Sequence, residues 1–198
     1  MKCKYLTIER EYGSGGTKIA HRLAEECGLP CYGAEILEAV AKNRGVSVKE
    51  IERYEEKTTN SFLYTIFMMS RVQTGDTDML PEEGHIYLEE HQEIQHLAAE
   101  GPAIFLGHCA SEALRGWSGV VKVFIRAADE KKRLRIIEDY KIAENQVELT
   151  QKRFDKKRAN YYNANTARDW HDMKNYDIVL DSSELGIDGC VSVLKGLF

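Results

Sequence analysis

A glycine-rich segment near the amino end of the chain has the residue types that bind phosphate. The apolar run 5–8 (YLTI) is followed by the run 13–16 (GSGG), and apolar residues at helical spacing begin at Ile19. Such a strand–turn–helix unit directs several backbone N–H groups and the positive end of a helix at one place. We therefore predict that a phosphate group binds here, with a glycine-rich turn that holds no ligand as the alternative.

The segment is related to the phosphate-binding pattern GxxxxGK[ST] but does not satisfy it. If Gly15 is the second glycine, Gly16 stands at the lysine position, Thr17 at the hydroxyl position and Arg10 at the first glycine position, and Lys18 comes two residues late. The predicted phosphate and ATP ligands are Arg10, Gly13, Ser14, Gly15, Gly16, Thr17 and Lys18.

Composition narrows the class of protein. The chain has 198 residues, of which 43% are hydrophobic and 30% charged, which is typical of one globular domain. No apolar run reaches the length of a membrane helix, and the start of the chain leaves no room for a signal peptide, so we expect a cytoplasmic protein.

The net charge of −5 disfavours nonspecific nucleic-acid binding, yet residues 126–158 carry 11 Lys and Arg against 7 Asp and Glu. A basic stretch in an acidic protein suits a small polyanionic substrate.

Apolar runs alternate with helical patterns along the whole chain. This order predicts a three-layer α/β/α sandwich with a five-stranded parallel sheet, whose ligands bind at the carboxyl ends of the strands. A polar loop is predicted at 73–84. The predicted strands lie at 5–8, 30–32, 103–106, 120–125 and 177–181, and the longer charged helices at 129–141 and 145–163, with a last helix from Asp188.

Three stretches together resemble a known family. They are REYGSGG at 10–16, DKKRANYY at 155–162 and YDIVLDSSELG at 176–186. In these stretches the chain is similar to the cytidylate kinase-like proteins, which belong to the P-loop nucleoside-monophosphate kinase group. The similarity spans nearly the whole chain and is weakest at residues 59–84.

The resemblance implies one P-loop kinase domain over residues 1–198, with a helical acceptor-binding region at about 33–100 and a lid at about 145–169. It implies transfer of the γ-phosphoryl group of ATP to a nucleoside monophosphate of the cytidylate type, with Mg²⁺ as cofactor. The expected partners are nucleotide substrates, not nucleic acid or a membrane; a homodimer is left open.

Several cations are expected to converge on the transferred phosphoryl group, because phosphoryl transfer depends on neutralising its charge. The candidates are Arg126, Arg133, Lys157 and Arg158, and Lys157 is a substitute for the absent loop lysine. We assign Lys131, Lys132, Arg135 and Lys152 to solvated helix faces.

Two positions depart from the family pattern. The family usually has an arginine after the glycine that ends the third strand, where this chain has His108, and an aspartate after the tyrosine of the second strand, where it has Gly33. Glu35 is a substitute for that aspartate or an exposed first-turn residue, and His108 and Glu35 are the predicted acceptor-binding residues. Magnesium would rest on phosphate oxygens, water and the hydroxyl of Ser14 or Thr17. The alternative function is a nucleotide-binding module of the pseudo-kinase type.

Overall fold

The computed structural model describes residues 2–57, residue 70 and residues 80–198, so most of the predicted loop at 73–84 lies outside the described residues. Five parallel strands form one sheet in the order β2-β3-β1-β4-β5. The predicted fold class is therefore confirmed. The strands are β1 (Tyr5–Arg10), β2 (Cys31–Tyr32), β3 (Ala103–Leu106), β4 (Val120–Arg126) and β5 (Ile178–Asp181).

Helices connect the strands and cover both faces of the sheet. Gly28 and Gly45 end the first two helices in the left-handed conformation, with φ of 65° and 68°. A capping box starts the third helix: the Glu50 N–H donates to Ser47 Oγ at 3.3 Å, and the Ser47 N–H donates to Glu50 Oε2 at 2.9 Å. The described helices are α1 (Gly16–Cys27), α2 (Ala34–Arg44), α3 (Val48–Lys57), α4 (Glu82–Glu100), α5 (Ala110–Ala113), α6 (Asp129–Glu138), α7 (Val147–Thr166) and α8 (Ser182–Lys195), with 3-10 turns at Glu144–Gln146 and Met173–Asn175.

Strand β1 lies in the middle of the sheet and is almost wholly buried. One face of the sheet packs against α1 and α8 through residues such as Leu23 and Leu194. The other face packs against α4 and against a cluster that contains Phe124 and Trp170. Because all five strands are parallel, the segments that follow β1, β3 and β4 meet at one edge of the sheet.

Three boundaries differ from the sequence prediction. Helix α6 ends at Glu138, short of Lys141, and α7 continues to Thr166. The last helix begins at Ser182 rather than Asp188, because the Asp181 carboxylate accepts a hydrogen bond from the Ser183 N–H and starts a first turn. Gly186, with φ of 66°, then kinks the helix. No helix among the described residues is long and apolar enough to cross a membrane.

Candidate active site

The glycine-rich loop connects β1 to α1, as predicted, and two of its glycines have left-handed backbone conformations. The φ angles of Gly13 and Gly15 are 79° and 80°. A Cβ atom on Gly13 would lie 2.9 Å from the Lys132 carbonyl oxygen, and one on Gly15 would lie 2.5 Å from Ile187 Cδ1. The loop is therefore pressed against α6 and α8, which only glycine permits at these two positions.

Several amide groups of this loop have no protein acceptor. Among the described residues, the backbone N–H groups of Gly13, Gly15, Thr17 and Lys18 donate no hydrogen bond. They lie in the loop and at the amino end of α1, where the helix dipole favours an anion. Gly13 is buried, Gly15 and Thr17 are half-buried and Lys18 is exposed. A buried or half-buried backbone donor without a partner is costly, so the first three amides favour an anionic ligand at this place.

Arg135 holds the carbonyl side of the same loop. Its Nη1 donates to Ser14 O at 2.8 Å and to Ser182 Oγ at 2.8 Å, and its Nη2 donates to Ser182 O at 3.1 Å. Ser182 Oγ in turn donates to Ser14 O at 2.5 Å. Carbonyls of the loop are thereby occupied on the side of α6 and α8, while the amides of Gly13, Gly15 and Thr17 have no protein acceptor among the described residues.

The assignment of Lys132 and Arg135 to solvated helix faces is wrong. Lys132 is buried, and its Nζ lies 3.1 Å from Glu11 Oε2 and 2.9 Å from Asp129 Oδ1. Burial lowers the pKa of Lys132, but its hydrogen bonds to Asp129 and Glu11 outweigh this effect and leave the pKa raised. The physical reason is that α6 crosses the loop and turns this face inward. Lys131 and Lys152 are exposed, as predicted.

The two predicted hydroxyl ligands of magnesium have different surroundings. Ser14 is fully buried, and its hydroxyl donates to Glu11 O at 2.7 Å and accepts from the Gly16 N–H at 3.3 Å. Thr17, in the first turn of α1, is half-exposed. Among the described residues, the Ser14 hydroxyl has protein partners and the Thr17 hydroxyl has none, and a role of either in binding magnesium stays a prediction.

A cavity of about 310 Å³ lies at the carboxyl ends of β1 and β3, next to the loop. Its walls come from α2 and α3 on one side and from α7 on the other, and it contains both cationic and aromatic side chains. Four of the predicted site residues meet there, namely Arg10, His108, Lys157 and Arg158. The other lining residues are Glu9, Ala34, Leu37, Glu52, Gly107, Cys109, Phe154, Tyr161 and Tyr162.

Arg158, from the predicted lid, contacts the start of the loop. Its Nη1 donates to Arg10 O at 3.0 Å and lies 3.8 Å from Asp155 Oδ1, and its guanidinium carbon is 5.7 Å from the centre of the Tyr12 ring. Burial lowers the pKa of Arg158, against the opposing charges of Asp155 and Glu9. Since a guanidinium stays protonated in proteins, this is a positive charge held at the cavity wall.

His108 contacts a buried carboxylate that the sequence analysis did not single out. Glu90 of α4 is fully buried; its Oε2 lies 3.3 Å from His108 Nδ1 and accepts a hydrogen bond from the Tyr161 hydroxyl at 2.5 Å. A signal for Glu90 was present, because it shares the helix face of Tyr87 and Ile94, both of which belong to the core. An acidic residue on an apolar helix face indicates a buried polar contact.

Of the predicted catalytic and acceptor-binding residues, three are not among the described residues that line the cavity. Arg126 pairs with Asp181 at 3.4 Å, and Arg133 pairs with Glu144; the side chains of both arginines are more than half exposed. The Glu35 carboxylate accepts a hydrogen bond from the Gly33 N–H at 2.9 Å and so caps the start of α2. Roles of Arg126, Arg133 and Glu35 in the reaction stay predictions.

Comparison with known proteins agrees with the fold described above. A cytidylate kinase of Methanopyrus kandleri is 28% identical over 191 residues, which cover 96% of this chain and 90% of that protein. The crystal structure of an uncharacterized protein of Eubacterium ventriosum superposes with a TM-score of 0.71 at 23% identity, covering 96% of this chain and 94% of the other. Shikimate kinase of Bacteroides thetaiotaomicron superposes with a TM-score of 0.51 at 13% identity, and the match covers 98% of this chain and 97% of the other.

The fold, a five-stranded parallel sheet covered by helices, is that of P-loop kinases such as this shikimate kinase. Within this class of proteins, the amino-acid sequence identifies the family to which the chain belongs. The model of the cytidylate kinase-like family matches residues 5–184, and the chain belongs to that family.

Proposed function

We propose that the protein transfers the γ-phosphoryl group of ATP to a nucleoside monophosphate, with cytidine monophosphate as the first acceptor to test. One observation carries the proposal: a loop with four unpartnered backbone amides adjoins a cavity whose wall contains Arg10, Lys157 and Arg158. The first feature suits a triphosphate and the second an acceptor that is itself an anion.

The loop binds the triphosphate through its backbone. Phosphate oxygens accept from the amides of Gly13, Gly15, Thr17 and Lys18, and the helix dipole of α1 adds favourable charge. The Thr17 hydroxyl is the side-chain ligand that suits Mg²⁺, which keeps most of its coordination as water and phosphate oxygens. When bound, the ion would neutralise charge on the β- and γ-phosphates.

The cavity holds the acceptor. A volume of about 310 Å³ is at the small end of the range of ligand sites, and the lining combines three cations with aromatic rings. Arg10, Lys157 and Arg158 pair with phosphate oxygens, while Tyr161 contributes an aromatic surface against which a base can pack. An oxygen of the acceptor phosphate attacks the γ-phosphorus, the bond from that phosphorus to the β-phosphate oxygen breaks, and ADP leaves.

The lid supplies the charge that the loop lacks. Since Gly16 stands where most P-loops have lysine, we assign neutralisation of the transferred group to Arg158, assisted by Lys157. Both lie on α7, so their approach to the phosphates depends on the position of that helix. Closure also excludes water, which strengthens each charge contact and suppresses hydrolysis of ATP.

The test is a panel of nucleoside monophosphates scored by ADP release, preceded by calorimetric titration with ATP and Mg²⁺. We expect heat on ATP addition and acceptor-dependent ADP release that is highest with a cytidine nucleotide. ADP release that no acceptor stimulates above background would contradict the proposal.

A nucleotide-binding module without turnover is the second candidate, and His108 in the usual place of arginine favours it. It predicts ATP affinity without ADP release. The variant His108→Arg separates the two, because it restores a bidentate phosphate ligand. A large gain in acceptor-dependent turnover would indicate that the acceptor site has lost activity through the change to histidine. Unchanged turnover would show that the residue type at position 108 does not affect the reaction.

A further inference from the structure

One carboxylate in the cavity has no task in the proposed reaction. Glu9 is the residue before Arg10 at the carboxyl end of β1; it is 8% exposed and lines the cavity. Its neighbours there include Arg158, whose positive charge it favours. A carboxylate repels phosphate, so its place beside the cations needs a reason other than anion binding.

The orientation of Glu9 is fixed by an indole. Trp170 Nε1 donates to Glu9 Oε2 at 3.2 Å, and Trp170 itself is fully buried against Phe124, with ring centroids 5.1 Å apart. Among the described residues, the other oxygen, Oε1, accepts no hydrogen bond and forms no ion pair. A rigid, nine-tenths buried carboxylate with one committed oxygen is a prepared acceptor for a ligand's hydrogen-bond donor.

We infer that Glu9 binds a sugar hydroxyl of the acceptor and so makes the enzyme selective for hydroxylated acceptors. The inference rests on the proposed function and names a specificity-determining residue within it. Glu9 precedes Arg10 in the chain and lies near Arg158, so we place it at the phosphate end of the cavity; Ala34 and Leu37 contribute apolar lining. In a nucleoside monophosphate the donors nearest the phosphate are the ribose hydroxyls, and the base lies farther away.

The selectivity arises because a buried carboxylate that lacks a hydrogen-bond donor is energetically unfavourable. With the hydroxyl in place, Oε1 gains a charge-assisted hydrogen bond in a site from which water is excluded. A deoxy acceptor fills the same space but gives the carboxylate no donor. A buried carboxylate without a donor costs much more binding free energy than an exposed carboxylate, which water can solvate.

The experiment uses the full chain with Trp117→Phe, so that Trp170 is the single tryptophan and its fluorescence reports events at Glu9. The ligands are cytidine 5′-monophosphate, its 2′-deoxy and 3′-deoxy forms, and cytidine, each titrated with and without Mg²⁺ and a nonhydrolysable ATP analogue. Turnover is measured in parallel for the same compounds with ATP. Glu9→Gln is the test variant, because Trp170 can still donate to its amide oxygen, and Glu100→Gln, an exposed glutamate at the end of α4, is the control.

We expect one deoxy form to bind the parent protein about 10- to 100-fold more weakly than cytidine monophosphate. Glu9→Gln should lose a similar factor with cytidine monophosphate and lose little more when that hydroxyl is also missing. Equal binding of all three nucleotides to the parent protein would overturn the inference without any need for the variant to fold. A Glu9→Gln defect that is the same for every ligand, or that changes only the Mg²⁺ requirement, would overturn it too.

Failure of the proposed function gives a different pattern. If no nucleoside monophosphate is phosphorylated but cytidine is, and Glu9→Gln abolishes that reaction, the acceptor class proposed above is wrong and the role of Glu9 stands. If none of the hydroxylated ligands changes Trp170 fluorescence, the inference about Glu9 is wrong whatever the turnover assay shows.

Discussion

Asp155 of α7 accepts a hydrogen bond from the backbone N–H of Tyr12 at 2.6 Å and thereby connects the predicted lid to the phosphate loop. The Tyr12 ring lies between two aromatic rings of the same region, 4.5 Å from Phe154 and 5.1 Å from Tyr140 between centroids. One turn further along α7, Arg158 contacts Arg10 O. Helix α7 therefore holds the main chain at the start of the loop, and a movement of α7 must change these contacts.

Asp155→Ala removes the acceptor for the Tyr12 N–H and the carboxylate beside Arg158. We expect the free energy of unfolding to fall by about 2–3 kcal/mol, because a buried donor and a buried charge both lose a partner. Asp155→Asn keeps an acceptor oxygen in the same place and should cost about 1 kcal/mol or less. Urea unfolding of the two variants beside the parent protein measures the difference. Equal losses would show that the hydrogen bond to Tyr12 does not contribute.

The same carboxylate predicts a pH dependence of stability. Burial raises the pKa of Asp155 above its ordinary value of 3.8, more than the Tyr12 N–H and Arg158 lower it. Between the ordinary pKa and the raised pKa, the Asp155 carboxyl is still protonated in the folded state but has lost its proton in the unfolded state. The free energy of unfolding therefore falls as pH rises through this range. The Asp155→Asn variant has no titrating carboxyl group at this position, so it lacks this contribution to the pH dependence.

The stability of Asp155→Asn relative to the parent should therefore improve as pH rises from the ordinary pKa of Asp155 to the raised one. Urea unfolding of both proteins across this range measures it, and the difference between them cancels the other titrating groups. A difference that is independent of pH, or that changes in the opposite direction, would mean that the Asp155 carboxyl is not destabilised by burial.

Gly13→Ala tests whether the loop must press against α6. The new Cβ would lie 2.9 Å from the Lys132 carbonyl oxygen, and the φ of 79° adds strain, so the loop must move. We expect ATP binding to weaken at least tenfold by calorimetry, because the amides lose their alignment. Gly28→Ala is the matched control, since it also has a positive φ, 65°, but nothing within 4 Å of the added atom. The control should cost about 1 kcal/mol of stability and leave ATP binding unchanged.

Arg135→Ala should loosen the same loop from its carbonyl side. The variant loses the donors to Ser14 O and Ser182 O, so we expect the KM for ATP to rise about tenfold, with a smaller change in kcat at saturating ATP. Lys131→Ala, on the exposed face of the same helix, is the control and should behave as the parent. Equal kinetics of Arg135→Ala and Lys131→Ala would show that Arg135 does not position the loop.

The sequence predicts the parts of this molecule that depend on neighbouring residues. Glycines with positive φ end α1 and α2, apolar runs of four or more residues become buried strands, and the GSGG run forms the loop. Each of these signals is local, because turn, cap and strand preferences are set within a few residues. The order of such elements along the chain is enough to predict a parallel sheet.

The parts that it does not predict depend on which face of a helix meets a distant segment. Lys132 and Arg135 are charged residues on a charged helix, and only the packing of α6 on the loop shows that Lys132 is buried and that Arg135 contacts the loop. Glu9 and its donor Trp170 are 161 positions apart, so no spacing rule connects them. By contrast, Arg158 and Asp155 lie 3.8 Å apart and are three positions apart on one helix, which is a contact that helical spacing alone can predict.

Arg158→Ala tests the role of the lid in the reaction. If Arg158 neutralises the transferred phosphoryl group in place of a loop lysine, its loss should lower kcat about 10²-fold or more. Affinity for ATP should change much less, because the loop amides that bind the triphosphate are intact. Lys152→Ala is the matched control on the same helix; its side chain is 74% exposed, and it should retain the kcat of the parent. Because Arg158 also donates to Arg10 O, urea unfolding must show that the variant is folded at the assay temperature. A kcat within about threefold of the parent would assign the neutralising charge to another cation, and Lys157→Ala would then be the next variant to assay.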